Sequence, residues 1–318
     1  MKMTTIIFGL MLALIASTAL GSWDGRAPLA TAQATFKVVD TEGFPVTNAL
    51  VSVGFFHRDP DQSRRFESRT DTNGCATLEG PSSGQLAYWI YKDGCYESSG
   101  GYKGWMEKWM PPDSPNIKKG RWQPWNPTID VVLKEIKNPI PMYVKGVNLG
   151  VPEFDKPLGF DLEEGDWVPP YGKGVTSDFI FYATLDKRAP EDSDYRLTLT
   201  FQNEKDGIQV TGNRPLMYGS KLASMHTAPV DGYLPKWEQF KIRRPSEKVE
   251  SNWDQNRIYC FRVRTKLDEQ GNIVSALYGK IYGDFLYFTY YLNPNSNDRN
   301  IEFDPEKNLF GGRNRFAP

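Results

Sequence analysis

Apolar and polar residues alternate with a period of two through much of the N-terminal third of the chain. From Ala49 to Phe55 every second residue is apolar, whereas Ser52 and Gly54 lie between them. The alternation continues from residue 66 to residue 70. A period of two is typical of β-strands with one buried face, so both stretches are predicted to be strands.

Turn signals adjoin these predicted strands. Gly43 and Pro45 indicate a turn before the first one, because Gly accepts a positive φ and Pro presets φ near the turn value. Asn73 and Gly74 fit the two central positions of a type I′ turn, which require positive φ. The sequence therefore predicts a hairpin at each of these turns.

The C-terminal part repeats the strand pattern without a long helical period. Strand-like runs occur at residues 142–147, 179–185, 195–201, 237–242, 257–267, 273–282 and 285–292. In 257–267, apolar residues alternate with Arg262, Arg264 and Lys266, which predicts one solvent-facing side. The run 285–292 is apolar on both faces, which predicts a strand in the middle of a sandwich or beside another domain.

Length and composition fit an all-β protein with two domains. The chain has 318 residues with 28 Gly and 23 Pro, enough for two cores and many turns. The stretch from Lys137 to Pro141 carries two prolines and is predicted to be the boundary. We predict an N-terminal sandwich over residues 34–136 and a second antiparallel β-sandwich, of jelly-roll type, over residues 137–318.

Three motifs in the first domain form a recognisable pattern. They comprise Asp40, Gly43, Pro45, Val46, Ala49 and Val51, then Thr70, Asp71 and Gly74, then Lys92, Gly94 and Tyr96. The pattern resembles the carboxypeptidase regulatory-like domain, a seven-stranded β-sandwich of the transthyretin (prealbumin) type. Cys95 and a Trp-rich insertion at residues 98–127 depart from it. The resemblance implies a non-catalytic accessory or binding module, although sandwiches of this kind serve many functions.

The chain begins with the features of a secretory signal peptide. Lys2 precedes an apolar run at residues 6–16, and small residues at 19–21 form a cleavage site. An uncleaved anchor is the alternative, but the apolar run is shorter than the roughly 20 residues of a membrane span. We predict a signal peptide at 1–21, a short linker at 22–33, no later membrane span, and a secreted or periplasmic protein.

The charges do not favour a nucleic-acid partner. The chain has 38 basic and 39 acidic residues, with a formal net charge of −1, and no concentrated basic face is expected. It has two histidines, His57 and His226, and no C-x-x-C motif, so no metal site and no cofactor is predicted. Intradiol dioxygenases have a related sandwich but need two histidines on iron, whereas the first domain contains only His57.

The first domain also contains two of the three cysteines. Cys75 and Cys95 are candidates for a disulfide that closes a loop of about twenty residues, worth roughly 3 kcal/mol of stability. Cys260 would then remain alone. The alternative is that all three are thiols that pack as small apolar side chains. The sequence does not choose between these alternatives.

The aromatic insertion supplies the candidate binding residues, Trp105, Trp109, Trp122 and Trp125. Exposed aromatic rings beside polar groups suit sugar stacking or peptide docking, because a ring offers a flat apolar face at low entropic cost. The alternative is that the rings pack beneath the insertion, since long insertions need an apolar core of their own.

The second domain carries an acidic stretch with Asp161, Glu163, Glu164 and Asp166. Such a group can bind Ca²⁺ or supply the paired carboxylates of a glycosidase. The alternative is a solvated loop.

Two functional hypotheses follow. The first is a secreted or periplasmic non-catalytic binding or envelope protein that recognises a glycan or a cell-envelope protein. The second is a secreted hydrolase acting on polysaccharide, with Asp161, Glu164 or Asp166 as acid and base.

Overall fold

The computed structural model describes residues 29–56, 64–105, 115–213 and 224–311. These residues form twenty-one β-strands. Among them there is no helix with the length and hydropathy that a membrane crossing requires. The predicted signal peptide at 1–21, His57 and Trp109 lie outside the described residues.

The first nine strands build the N-terminal sandwich. They are β1 (Ala30–Val39), β2 (Leu50–Phe55), β3 (Arg65–Arg69), β4 (Cys75–Ser82), β5 (Leu86–Tyr91), β6 (Ser98–Tyr102), β7 (Ile117–Lys118), β8 (Arg121–Trp122) and β9 (Thr128–Val132). One sheet places β1 between β4 on one side and β9 and β8 on the other, with β7 beyond β8. The other sheet has the order β3-β2-β5-β6. Because β1 begins at Ala30, residues 30–33 belong to the sheet and not to a linker.

The alternation of the sequence sets the core of this sandwich. Phe36 and Val38 of β1 face Val51 and Val53 of β2 within one buried cluster, and all four side chains are fully buried. Seven strands make up the two sheets apart from the short β7–β8 hairpin of the insertion. This architecture is compatible with a transthyretin-like β-sandwich.

A turn forms at both predicted places, but neither joins two neighbouring strands of one sheet. The first closes only a short antiparallel bridge between Val39 and Pro45. β1 and β4 belong to one sheet and β2 and β3 to the other, so each turn carries the chain between sheets. Asp71 Oδ1 accepts hydrogen bonds from the backbone N–H groups of Asn73 and Cys75, which closes the turn locally. Gly74 has φ +75°, and a Cβ there would collide with the Val38 carbonyl. The type I′ assignment was wrong, because the Gly74 N–H donates to the Asp71 carbonyl, which makes Thr72 and Asn73 the central residues of the turn. Of Asn73 and Gly74, only Gly74 has positive φ.

The remaining twelve strands build the second sandwich. They are β10 (Ile140–Asn148), β11 (Pro157–Asp161), β12 (Asp166–Trp167), β13 (Phe179–Ala189), β14 (Asp192–Thr200), β15 (Gly207–Asn213), β16 (Lys236–Arg243), β17 (Glu250–Ser251), β18 (Arg257–Leu267), β19 (Ile273–Gly283), β20 (Tyr287–Leu292) and β21 (Phe303–Asn308). One sheet has the order β15-β18-β19-β20-β10-β21 and the other β12-β11-β13-β14-β16-β17. The all-β class is therefore confirmed.

The core of the second sandwich lies between its two sheets. Phe179 and Phe181 of β13 pack there with Phe261 of β18 and Tyr290 of β20. Consecutive strands mostly stay in one sheet, as in the β18-β19-β20 meander. A jelly roll has eight strands in two Greek keys, so this meandering arrangement of twelve strands differs from the predicted type.

The solvent-facing side expected for β18 is largely covered. Arg262 is 7% exposed, and its guanidinium donates hydrogen bonds to the carbonyls of Lys205 and Val230. Cys260 on the same face is fully buried. Arg262 was predicted to face solvent because it is charged. A guanidinium can be buried, however, when backbone carbonyls accept its hydrogen bonds.

Of the two alternatives for the cysteines, the structure has the second: Cys75 and Cys95 do not form a disulfide, and all three cysteines are free thiols. Lys37 of β1 pairs with Cys75 on one side and with Asp130 of β9 on the other. Cys95 pairs with Glu135, which follows β9. Cys75 and Cys95 therefore lie on opposite sides of β1, and two strand spacings correspond to about 10 Å. A disulfide tolerates only roughly 7 Å between the two Cα atoms.

Candidate functional site

Two of the four candidate tryptophans, Trp105 and Trp122, are not available as an exposed platform. Trp105 and Trp122 are 0% exposed and belong to the core of the first sandwich. Trp105 Nε1 donates to the Pro124 carbonyl at 2.9 Å, and Trp122 Nε1 donates to the Ser82 carbonyl at 2.8 Å. A ring enclosed on both faces cannot stack on a sugar, so the predicted binding role of these two residues is wrong.

The other two predicted binding residues differ from this pair. Trp109 lies outside the described residues. Trp125 is half-buried, and the Arg121 guanidinium lies 4.6 Å from its ring centroid. One face of the Trp125 ring is therefore occupied by a side chain of the neighbouring hairpin. The described part of the insertion is anchored to the core of the first sandwich by Trp105 and Trp122.

The acidic stretch of the second domain is organised around Asp161, which is almost fully buried. Asp161 Oδ1 accepts hydrogen bonds from the backbone N–H groups of Glu163 and Glu164, and Oδ2 accepts those of Val175 and Thr176. Burial works to raise the pKa of Asp161, but these four donors together hold it below its usual value. Asp161 thus ties two loops together through backbone hydrogen bonds.

A partly buried ion cluster joins this stretch to the opposite sheet. Arg264 of β18 donates from Nε and Nη2 to both oxygens of Asp178 at 2.8 and 2.9 Å, and from Nη2 to Asp161 at 3.1 Å. Its Nη1 donates to Glu163. Burial raises the pKa of Asp178, and the guanidinium opposes that shift. Arg264 has φ +55° at an irregularity of β18, where register is lost between Val263 and Lys266.

The remaining acidic side chains also have structural partners. Glu164 pairs with Lys173 at 3.5 Å, and Asp166 accepts the backbone N–H groups of Trp167 and Lys173. Neither Asp161, Glu164 nor Asp166 lines either of the two cavities described below. Within the described ranges, no group of three His, Cys, Asp or Glu side chains could hold a metal ion. The geometry thus gives no support to the carboxylates as acid and base.

A concave site lies at the end of the β10-β20-β19 ladder, where these strands meet the loop before β18. It has a volume of about 480 Å³ and will be called the Tyr287 groove. Its lining residues are Gly146, Val147, Asn148, Gln255, Asn256, Arg257, Tyr282, Gly283, Tyr287, Phe288 and Thr289. The groove is a wide concavity that is open to solvent rather than an enclosed pocket.

The β19–β20 turn places Tyr287 at this groove. Asp284 Oδ1 accepts the backbone N–H groups of Leu286 and Tyr287 at 2.9 and 3.2 Å. Gly283 has φ +104°, and a Cβ there would lie 2.6 Å from the Tyr287 carbonyl. Tyr287 is 56% exposed and pairs across the ladder with Asn148. The turn thus fixes an exposed ring opposite an amide side chain.

The charge of the groove comes from Arg257. Its Nη1 donates to the Asn252 carbonyl at 2.8 Å, and its guanidinium lies 5.5 Å from the Trp237 ring centroid. Asp254 lies 3.9 Å from Nε and partly compensates the charge. The lining otherwise has three amides, three hydroxyl-bearing side chains (Tyr282, Tyr287 and Thr289) and the Phe288 ring, and contains no carboxyl group. Such a site can donate and accept hydrogen bonds but has no carboxylate for acid–base catalysis.

A second cavity of about 690 Å³ lies along the β16–β17 connection, on the outer side of the other sheet. It is lined by Phe240, Ser251 and residues 247–250. Residues 247–251 are exposed, so this cavity is an open surface along one hairpin. This cavity is lined by a single hairpin, whereas the Tyr287 groove is lined by four stretches of the chain.

Sequence reasoning missed the Tyr287 groove because its residues come from four separate stretches of the chain. The available signal was the run 285–292, whose two apolar faces predicted a central strand. β20 does lie between β19 and β10. The exposed Tyr287 at its start interrupts that apolar pattern, but the sequence alone does not bring Asn148 or Gln255 next to it.

Comparisons with known proteins give no family. No protein-family model matches the chain, and no curated protein matches it. The chain is similar to a solved 3-chlorocatechol 1,2-dioxygenase from Rhodococcus opacus 1CP, with 17% identity, a TM-score of 0.26, and coverage of 35% of this chain and 62% of the dioxygenase. It is also similar to the shaft pilin SpaA from Lactobacillus rhamnosus GG, with 7% identity, a TM-score of 0.22, and coverage of 80% and 94%. Neither likeness is close enough to carry an argument about this chain.

Proposed function

We propose that this protein is a secreted or periplasmic binding protein of the cell surface or envelope, without catalytic activity, and that the Tyr287 groove holds its ligand. The observation that carries the proposal is the lining of the groove. An exposed Tyr ring, three amide side chains and one guanidinium converge there without a carboxyl group. Rings with adaptable hydrogen-bonding groups suit a neutral, hydroxyl-rich ligand such as a glycan.

The proposed localisation rests on the signal-peptide pattern at residues 1–21. We also propose that the first sandwich is a carboxypeptidase regulatory-like domain. The roles of its motif residues support this: Asp40 accepts the backbone N–H groups of Glu42 and Phe44, and Thr70 Oγ1 donates to the Val46 carbonyl. The motif thus belongs to the scaffold of the sandwich, which fits an accessory module.

The test is binding of soluble neutral oligosaccharides and of insoluble cell-wall polysaccharide, measured by titration calorimetry and co-sedimentation. Tyr287→Ala is expected to weaken binding at least about tenfold, because the loss of one stacked ring costs about 1.4 kcal/mol or more. Tyr182→Ala is the matched control, since Tyr182 is 39% exposed on the other sheet and does not line the groove.

Two results would contradict the proposal. One is that none of these carbohydrates binds. The other is that Tyr287→Ala and Tyr182→Ala weaken binding equally, which would place the ligand elsewhere. Release of reducing ends from the same polysaccharides would instead favour the hydrolase hypothesis.

A further inference from the structure

The segment between the two sandwiches is hydrogen-bonded along its length. It runs from Leu133, directly after β9, to Ile140, the first residue of β10, and will be called the connector. The backbone N–H of Leu133 donates to the Val39 carbonyl at 2.8 Å. The backbone N–H of Ile136 donates to the Gly94 carbonyl at 2.7 Å. The first half of the connector is therefore held by the first sandwich.

The second half of the connector is held by one residue of the second sandwich, Glu302. This residue is 2% exposed and lies directly before β21. Its Oε1 accepts the backbone N–H of Lys137 at 3.0 Å, and its Oε2 accepts that of Asn138 at 2.7 Å. Its backbone carbonyl accepts the N–H of Ile140 at 2.9 Å. Because Pro139 has no N–H, Glu302 receives every backbone donor from residue 137 to residue 140.

Further hydrogen bonds cross the boundary in both directions. Tyr96, in the first sandwich, donates from its hydroxyl to Glu302 Oε1 at 2.7 Å. Its backbone N–H donates to the Lys134 carbonyl of the connector at 2.8 Å. From the other side, His226 Nε2 donates to the Glu135 carbonyl at 2.7 Å. Each sandwich thus contacts the half of the connector that the other one holds, or the carboxylate that holds it.

These contacts leave no hinge within residues 133–140. A hinge consists of a few residues that can absorb a change in φ and ψ. Such a change here would break backbone hydrogen bonds to one sandwich or the other, and would separate the buried Glu302 carboxylate from its donors. A buried carboxylate without donors is strongly unfavourable. The relative motion that is common between the domains of one chain is therefore opposed at this boundary.

We propose that the connector and Glu302 make the two sandwiches one rigid body, in which the first sandwich keeps a fixed orientation relative to the second. The proposal stands on the donors that Glu302 receives from the connector and from Tyr96. It also fixes the first sandwich relative to the Tyr287 groove, since β10 begins at the connector and its other end lines the groove. It does not depend on the groove being a binding site.

Residual dipolar couplings of backbone N–H groups, measured on the full chain in a dilute aligned medium, test the proposal. Bodies that are rigidly joined share one alignment tensor, whereas domains that move relative to each other give tensors of different magnitude. We expect the amides of the β1–β4 ladder and those of the β18–β19 ladder to fit one tensor in the wild type. Two different tensors in the wild type would overturn the proposal.

Glu302→Gln keeps the volume of the side chain but leaves one acceptor oxygen for donors that occupy two. We expect the common tensor to be lost. The amides of Lys137 and Asn138 should also exchange with solvent at least about tenfold faster, because a hydrogen bond to a charged group contributes that factor or more. Amides of both ladders should keep their protection, which would show that each sandwich still folds.

Tyr96→Phe is the second variant if Glu302→Gln does not fold. It removes one donor to Glu302 at nearly constant volume and is expected to separate the two tensors as well. Tyr290→Phe is the matched control, because the Tyr290 hydroxyl donates to the Leu162 carbonyl at 2.8 Å within the second sandwich, and it should keep the common tensor. A common tensor in Glu302→Gln, or in Tyr96→Phe where it replaces that variant, or an equal loss in Tyr290→Phe, would also overturn the proposal.

Discussion

Arg264→Met removes the cation that Asp161, Glu163 and Asp178 share, and its effect on the stability of the second sandwich can be worked out from the contacts. The side chain of Asp178 is 0% exposed, that of Asp161 is 3% exposed, and that of Arg264 is 24% exposed. The substitution keeps most of the apolar stem and deletes the guanidinium. It therefore tests the ion cluster rather than the packing around it.

The three carboxylates contribute unequally to the expected loss. Asp178 keeps a single hydrogen bond, from the backbone N–H of Leu162, and breaking a buried ion pair in this way costs about 3–5 kcal/mol. Asp161 keeps its four backbone donors and loses little. Glu163 is 35% exposed, so its share is below about 1 kcal/mol. We expect a total loss of about 4 kcal/mol in the free energy of unfolding at pH 7.

The loss in the free energy of unfolding should be smaller at acidic pH than at neutral pH. Burial already raises the folded-state pKa of Asp178, and without the guanidinium that pKa rises further. A carboxyl with a raised folded-state pKa contributes stability below its unfolded-state pKa, and loses it as pH rises through the folded-state pKa. The variant is therefore expected to lie closer to the wild type at pH 4.5 than at pH 7.

Urea unfolding followed by circular dichroism at both pH values provides the measurement. Arg196→Met is the matched control, because Arg196 pairs with Asp194 at the surface and is 57% exposed, and it is expected to cost below about 1 kcal/mol. Arg264→Met combined with Asp178→Leu should recover much of the loss, since an apolar pair can replace a buried ion pair. A loss below about 1 kcal/mol at pH 7 for Arg264→Met would refute the reasoning.

Three further predictions concern the first sandwich. Gly74→Ala should lower the free energy of unfolding by about 2 kcal/mol or more, because φ is +75° and the added Cβ would collide with the Val38 carbonyl. Gly43→Ala is the control in the same urea titration and should cost less, because Gly43, at φ +90°, has open space around the Cβ position. Trp122→Phe should cost about 2 kcal/mol in thermal or urea unfolding through a lost hydrogen bond and a cavity, and an unchanged midpoint would contradict its burial. Mass spectrometry after alkylation of the unfolded, unreduced chain should find three modified thiols, whereas one modified thiol would show that a disulfide forms after all.

Several features could be predicted from the sequence because they depend on neighbouring residues. Period-two alternation predicted β2, and the seven strand-like runs of the second domain correspond to β10, β13, β14, β16, β18, β19 and β20. Turn chemistry at Gly43 and Gly74 was also readable, since it reflects the φ that each glycine adopts. These are short-range properties, and a linear pattern contains them.

The pairing of distant strands and the burial of individual side chains were decided only by the tertiary structure. Whether a turn closes a hairpin or crosses between sheets depends on which strand lies beside β1, and a linear pattern does not show that β9 pairs with it. Arg264 looked like a solvent-facing residue, but two loops distant in sequence bring three carboxylates to its guanidinium. Trp122 was predicted to be a binding residue, but its ring packs in the core and its Nε1 donates a hydrogen bond to the Ser82 carbonyl. Burial is a property of what packs against a residue, so the sequence supplied the strands while the packing of the sheets decided which of their side chains reach solvent.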